Sequence, residues 1–372
     1  MMEPLQLISF DLQINATSFA RISNIVTTDA GNPGTSFDED LSVSVIIPTY
    51  NRAPILMRAV ESAIAACAPG DEIIVVDDGS TDNTEDVLVS VRKQIRYVKI
   101  PNSGAGKARN AGIEHASKPL IAFLDSDDAW LPYKLKLQRA VMALHPELVF
   151  CCSNFSVRTP DGEHAAYLKN WWTSSTTVES AFGTGVPFTS PVDLPNGRSV
   201  SLHIKDLYRT LMIDGVVCLI TVLYRRAKAP AVRFPQDLPT YEDWEFTAQL
   251  AKCGLAGYID CDTIVNYGHS GPRLTDANAL TCAQTRLKVM ARLWGSDQEF
   301  LGEHSAAYED VRTEQCLRAA RWLVRHGRTR EARPYLADAR HAPPLLRLAA
   351  AVPLPKSAVD LVRSAVNRLR RN

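Results

Sequence analysis

The sequence predicts an α/β fold: a mainly parallel, mixed sheet flanked by helices, followed by a C-terminal helical appendage. Two patterns carry the sheet. From Leu41 onward, apolar runs of five to seven residues alternate with helix-length segments, the signature of βαβ units. The runs IIVV and LIAFL are continuously apolar rather than alternating, as in strands covered on both faces. The appendage is signalled after about Thr275, where the chain becomes rich in arginine and helical in period.

Taken in order, residues 1–40 are polar, and TTDAGNPGTSFDED reads as a linker. LSVSVIIP is a strand stopped by proline, and Ala53–Ala66 has helical spacing. DEIIVVDD is a second strand. TDNTEDVLVSVRKQ opens with capping residues and continues as a helix. IRYVKI predicts a strand, GAGKARNAGIEHA a helix, PLIAFLD a strand, WLPYKLKLQRAVMAL a helix and ELVFCCS a strand. Residues 156–213 lose the alternation and are expected to be an irregular insertion, of the kind that forms lids or binding loops. VVCLITVLYRR then predicts a strand, and YEDWEFTAQLAKCG a helix ending at Gly254. In the appendage, CLRAARWLVRHGRTREARPYLADARHA predicts two amphipathic helices joined at HGRT, and SAVDLVRSAVNRLRRN a last basic segment. The expected domains are therefore 1–40, 41–275 and 276–372.

The chain of 372 residues, 46% hydrophobic, can bury a full core. Lys and Arg number 41 and so do Asp and Glu, so no overall field points to nucleic acid. The balance is uneven, however: between Val311 and Asn372 fourteen Lys and Arg stand against four Asp and Glu. The eight cysteines form no C-x-x-C pair and several lie in apolar runs, which fits a reduced, cytoplasmic protein and argues against zinc. The first residues lack the basic and apolar regions of a signal peptide. No run of about 18 apolar residues predicts a membrane span.

Ligands of open α/β sheets bind at the carboxyl ends of the strands. Three such ends are polar here: VIIPTYNR, VVDDGSTD and FLDSDD. One acidic turn is ordinarily solvated surface; three converging on one edge predict a pocket. Asp125 and Asp127 are spaced as oxygen ligands for a hard divalent cation such as Mg²⁺ or Mn²⁺, whereas Asp128 suits capping of the helix that follows. Gly104-Ala-Gly-Lys107 is not a Walker A loop, since Ala108 follows the lysine, yet Lys107 and Arg109 at a helix start could meet a diphosphate. Glu242 and Asp243 open a helix, where acids are at home in any case, and His269 alone is an ordinary loop histidine.

Together these stretches resemble the family 2 glycosyltransferases of the GT-A fold. SVIIPTYNR, EIIVVDDGSTDNT, NSGAGKARNAGI, IAFLDSDDAWLPYKL, TVLYRR, YEDWEF and the GHS…LT loop match in order and spacing across about residues 41–275. The resemblance implies a first nucleotide-binding turn at Pro48, Thr49, Tyr50 and Arg52, and a base contact, often to uracil, from Asp78. It implies nucleotide or diphosphate contacts from Lys107 and Arg109. Asp125 and Asp127 correspond to the DxD pair: Asp127 is the better metal ligand, and Asp125 meets ribose or metal-bound water. Asp243 corresponds to the catalytic base, flanked by Glu242 and Trp244 at the sugar, and His269 to a residue that helps hold the metal or diphosphate. The implied activity is inverting transfer from a nucleotide-diphosphate sugar, with UDP the expected nucleotide. The acceptor is a saccharide or lipid-linked hydroxyl in bacterial cell-surface polysaccharide or glycolipid synthesis, and the cofactor Mn²⁺ or Mg²⁺.

The sequence departs from the family at SGPRLT, one residue longer than the commonest loop, and at the long 156–213 segment. The competing classes are a metal-dependent nucleotidyltransferase on a similar sheet and a non-catalytic nucleotide-sugar-binding protein. The second sits badly with the presence of Asp125, Asp127 and Asp243 together. The basic C-terminus, beside the apolar LLRLAAAVPL, reads either as a solvated helical face or as a peripheral contact with an anionic membrane at the cytoplasmic face.

Overall fold

A computed structural model of the protein describes residues 40–172, 176–194, 199–267, 277–354 and 356–371. Its centre is a mixed sheet. Strands β1 (Val43–Thr49), β2 (Glu72–Asp77), β3 (Arg96–Lys99) and β4 (Leu120–Phe123) run parallel, with β1 between β2 and β4. All seven residues of β1 are buried, Ser44 included, whose hydroxyl donates to Glu72 Oε1 at 2.6 Å. Register places Thr49 beside Asp77, and Ile46 beside Phe123, so the ends of β1, β2 and β4 reach one edge. That convergence is the one the polar strand ends predict.

Helices α1 (Ala53–Ala66), α2 (Thr84–Val87), α3 (Ala105–His115) and α4 (Lys134–Leu144) fill the connections. α1 buries Ala53, Leu56, Ala59, Val60, Ala63 and Ala66, one stripe at helical spacing. α3 approaches β1 so closely that a Cβ on Gly112 would overlap the side chain of Ile46. Two predicted helices are shorter than expected. The helix expected over 81–94 ends at Val87 and gives way to a 3₁₀ turn at Val89–Val91, where β-branched valines crowd a helical backbone. α4 starts at Lys134 rather than Trp130, because Ala129–Trp130 is spent as a short strand, β5, and Pro132 follows it.

Beyond β4 the sheet becomes mixed. The segment expected to be irregular carries regular structure instead. β6 (Phe150–Thr159) runs on into it, followed by β7 (Gly162–His164), α5 (Val178–Phe182), β8 (Gly185–Phe188), β9 (Val200–Lys205) and α6 (Tyr208–Ile213). β8 and β9 extend the sheet, whose order is β3-β2-β1-β4-β10-β6-β11-β9-β8, with β10 at Leu223–Arg225 and β11 at Ala256–Tyr267. Short strands with few apolar residues give little periodicity to read, which is why this part escapes the sequence. The strand predicted over 216–226 reduces to a 3₁₀ turn at Leu219–Thr221 and β10 (Leu223–Arg225), antiparallel to β4 and β6.

The largest unanticipated element is β11 (Ala256–Tyr267), twelve residues between the helix α7 (Glu242–Lys252) and the appendage. It runs parallel to β6 and antiparallel to β9, and its far end pairs with β5 through Ile264–Trp130. Register shifts on either side of Asp262 bend it toward the turn after β4.

The appendage comprises α8 (Ala279–Leu293), α9 (Gln298–Arg325, with a kink at His304), α10 (Thr329–Asp338), α11 (Pro344–Ala351) and α12 (Lys356–Arg371). α9 and α10 form the expected hairpin around Gly327 (φ 72°). These helices share a small core of Leu280, Ala283, Leu317, Ala320 and Leu323. They join the main core at Trp294, which is fully buried and packs on Trp244 and Tyr208. Among the described residues, no helix is long and apolar enough to cross a membrane.

Candidate active site

The site is built at the carboxyl edge of β1, β2 and β4. After β1, Asn51 adopts a left-handed conformation (φ 50°), and its side-chain oxygen accepts the Thr81 N–H at 2.8 Å. Its own N–H donates to Ser80 Oγ at 2.9 Å. The first and second turns are thereby tied into one wall. Tyr50 projects from this wall, 45% exposed, and Pro48 is buried in the strand below. The Thr49 hydroxyl is buried and, among the described residues, has no hydrogen-bond partner. Arg52 is partly buried at the start of α1.

After β2, Gly79 takes φ 78°, and a Cβ there would press on the backbone N of Asn102 at 2.7 Å. This close approach lets Asp78 reach the loop before α3: its two oxygens accept the Ser103 and Gly104 N–H groups at 2.8 and 2.7 Å. Both carboxylate oxygens of Asp78 thus shape the loop from within. Lys107 is exposed on the first turn of α3.

Arg109 lies one turn deeper and is only 5% exposed. It donates to Asp125 Oδ1 at 2.8 Å and to Glu242 Oε1 at 3.2 Å, and its guanidinium sits 5.4 Å from the Phe234 ring. Burial opposes the charge, but Asp125 and Glu242 outweigh it and hold the guanidinium protonated. Arg109 is therefore an ionic bridge joining the turn after β4 to the start of α7. Asn110 supports it, exchanging two hydrogen bonds with the Phe234 backbone at 2.8 and 2.9 Å. Beneath lies an aromatic floor in which Phe234 and Phe246 stack at 3.9 Å and Phe123 meets both edge-on.

Three acids crowd the turn after β4: carboxylate oxygens of Asp125, Asp127 and Asp128 lie within 4.8 Å of one another. Their environments differ. Asp128 is buried and accepts from the Asn266 side-chain amide at 3.0 Å and from the Tyr267 N–H at 3.0 Å. Burial, then the charges of Asp127 and Asp125, push its carboxyl well above the usual range. The expected capping role is thus corrected: α4 begins after Tyr133 with no side-chain cap, and Asp128 instead ties the turn to the end of β11. Asp125 and Asp127 remain partly open. Two partly open carboxylates two residues apart, with the third neighbour buried and engaged by Asn266 and Tyr267, suit one hard divalent cation with open coordination positions. Arg58 steadies the turn, donating to the Asp127 carbonyl while its guanidinium stacks 3.7 Å from the Tyr267 ring. His269, expected near this cation, lies outside the described residues.

α7 supplies the remaining acids. Tyr241, in a left-handed conformation (φ 63°), turns the chain into the helix. Glu242 is buried against Arg109. Asp243 is exposed to solvent beside Glu242, with the charges of Arg109 and Asp125 near it. Desolvation, then the charge of Glu242, push its carboxyl up to about 6, against the pull of Arg109 and of the Trp244 N–H that it accepts at 2.7 Å. Trp244 points the other way. It is buried, and its ring N–H donates to the Leu211 carbonyl at 2.8 Å.

The structure therefore gathers Thr49, Asp78, Arg109, Asp125, Asp127, Glu242 and Asp243 around one edge. The sequence reading missed Arg58, Asn110, Asn266 and Tyr267. The last two sit at the end of the unrecognised β11, and its β-branched Thr263-Ile264-Val265 was the available signal.

Residues 44–191 match the family described as Glycosyl transferase family 2. TuaG of Bacillus subtilis, a glycosyltransferase provisionally assigned to teichuronic acid biosynthesis, is 40% identical over 233 residues, 60% of this chain and 78% of TuaG. WfaP of Escherichia coli, described as a UDP-Glc:alpha-D-GlcNAc-diphosphoundecaprenol beta-1,3-glucosyltransferase, is 38% identical over 118 residues, 31% of this chain and 46% of WfaP. An uncharacterized glycosyltransferase of Nostoc sp. is 44% identical over 100 residues, and the chain spans only 31% of its length. The fold is similar to that of S. aureus TarS residues 1–349 in complex with UDP-GlcNAc: TM-score 0.56 and 20% identity, covering 89% of this chain and 92% of that one.

Proposed function

The chain belongs to glycosyl transferase family 2, and from that membership we propose that it is an inverting, metal-dependent transferase of a UDP-sugar to a hydroxyl acceptor. One observation carries the reading: Arg109 joins Asp125 of the paired-acid turn to Glu242, the neighbour of Asp243, so donor-side and base-side acids share one ionic bridge. The UDP preference is supported by the UDP-Glc donor of WfaP and by the UDP-GlcNAc in the TarS complex.

In this reading the nucleotide lies along the wall of Thr49, Tyr50, Arg52 and Asp78. Thr49 offers a buried hydroxyl that finds no partner among the described residues. Asp78 acts chiefly through the loop it folds, keeping one lone pair on each oxygen for a base edge. Lys107 faces the diphosphate. Asp125 and Asp127 would hold a divalent cation, Mn²⁺ or Mg²⁺, which when bound supplies Lewis-acid stabilisation of the departing diphosphate. We assign Arg109 and Glu242 to positioning rather than to direct contact, because each satisfies the other. Trp244 likewise anchors α7 from behind.

Asp243 is the proposed base. Its carboxyl, raised to about 6, is ionised near neutral pH yet basic enough to accept a proton from an acceptor hydroxyl as the new bond forms. The anomeric carbon then inverts, and the acceptor's proton ends on Asp243. The acceptor we propose is a saccharide or lipid-linked hydroxyl in cell-surface polysaccharide or glycolipid assembly, reached at the cytoplasmic face of the membrane. The experiment is transfer from an α-linked UDP-sugar, with the product followed by proton NMR. A β-linked product is expected; retention of the α configuration would overturn the assignment.

A further inference from the structure

We propose that α11 and α12 form a docking surface for an anionic lipid bilayer. α11 turns Ala349 and Ala350 inward toward α9, but Leu345 and Leu348, one turn apart, stand 55% and 60% exposed. α12 packs along α11 and buries Val366, and Arg363 fastens it to Glu314 of α9 at 2.6 Å, yet Leu361 is left 67% exposed. These are three of the most exposed large apolar side chains of the described protein, and they fall on two adjacent helices. The same segment is strongly basic: from Arg340 to Asn372 seven Lys and Arg stand against a single acid, Asp360.

That combination fits an interfacial contact. Leucines on a polar helix enter the boundary between headgroups and acyl chains, and a segment with an excess of cations is drawn to lipid phosphates. A second copy of the chain fits less well. Three leucines fall far short of the surface, about 1,600 Å² in total, that a stable interface buries, and like charges would face each other. Nucleic acid would satisfy the cations and leave the leucines in water. The inference deepens the proposed function in one respect only: an acceptor carried on a lipid would lie at the surface this face recognises. Lipid binding itself needs neither donor nor catalysis.

The test is co-sedimentation of the full chain with vesicles of phosphatidylcholine alone or with about 30% phosphatidylglycerol. The anionic vesicles should bind at least about tenfold more strongly, and molar salt should reduce the difference. The variant Leu345→Ser, Leu348→Ser, Leu361→Ser should lose most of that binding while keeping its circular dichroism and its transfer to a soluble acceptor; Leu361→Ser alone serves if the triple variant unfolds. Asp243→Asn should bind vesicles as the parent does, so failure of the catalytic reading leaves this result standing. Equal binding to both vesicles, or binding indifferent to the leucines, would overturn the proposal. So would a dimer in size-exclusion chromatography that the triple variant dissociates.

Discussion

At the scale of single residues, the site depends on giving similar side chains different surroundings. Asp125, Asp127 and Asp128 stand together in sequence, but only Asp128 is sealed under Asn266 and Tyr267. Asp127→Ala should therefore abolish metal-dependent UDP binding in calorimetry while the protein stays folded. Asp243 carries the clearest pH signature. A base whose carboxyl sits at about 6 is active above that pH, so kcat should fall along an acid limb centred near it. A carboxyl raised by folding contributes stability that is present below its unfolded value and lost as pH rises through the folded one. At neutral pH the charged Asp243 is thus a burden on the fold. Asp243→Asn should lower kcat by about 10²-fold or more with Tm unchanged or raised; near-parental turnover in a folded variant would remove it as the base. Arg109 differs, because deleting it leaves two acids facing without their cation. Arg109→Met should cost about 3 kcal/mol in denaturant unfolding. These identities were legible in the sequence as types and spacings. Their division of labour was not: neither Asp128's attachment to β11 nor Arg109's commitment to Glu242 has a local sequence signal.

At the scale of elements, legibility followed period and length. β2 and β4 were readable because strands buried on both faces are continuously apolar, and α1 because small residues mark one packed stripe. β11 was missed although it is the longest strand, since its polar Asp260, Asp262 and Asn266 and its bulged register interrupt both apolar and alternating patterns. The cost of missing it was functional, for β11 is what fixes the acidic turn from outside. At α3, Gly112 permits the contact with β1 that brings Arg109 to the sheet edge. Gly112→Ala places a methyl group against Ile46 and should destabilise the fold by about 1–3 kcal/mol, read as a lower Tm. A variant with parental Tm would mean that α3 can shift without penalty.

At the scale of the whole molecule, the C-terminal helices do more than extend the chain. Arg286 of α8 places its guanidinium 4.8 Å from the Trp244 ring and points toward the Met212 and Ile213 carbonyls at 3.5 and 3.4 Å. Arg292 pairs with Glu245 on the same helix, α7. The appendage thereby braces α7 from behind, and Arg286→Ala should lower kcat more than it changes donor KM; an unaltered kcat would show that α7 holds its place unaided. At the sheet edge, in the function proposed above, a nucleotide diphosphate would be held through a cation on Asp125 and Asp127. That binding is tested most directly by calorimetry of UDP with and without Mn²⁺, on the parent and on Asp127→Ala. Tight binding is expected only for the parent with Mn²⁺, falling by at least about tenfold, or 1.4 kcal/mol, when either the metal or the carboxylate is removed. Equal affinity in all four measurements would contradict it.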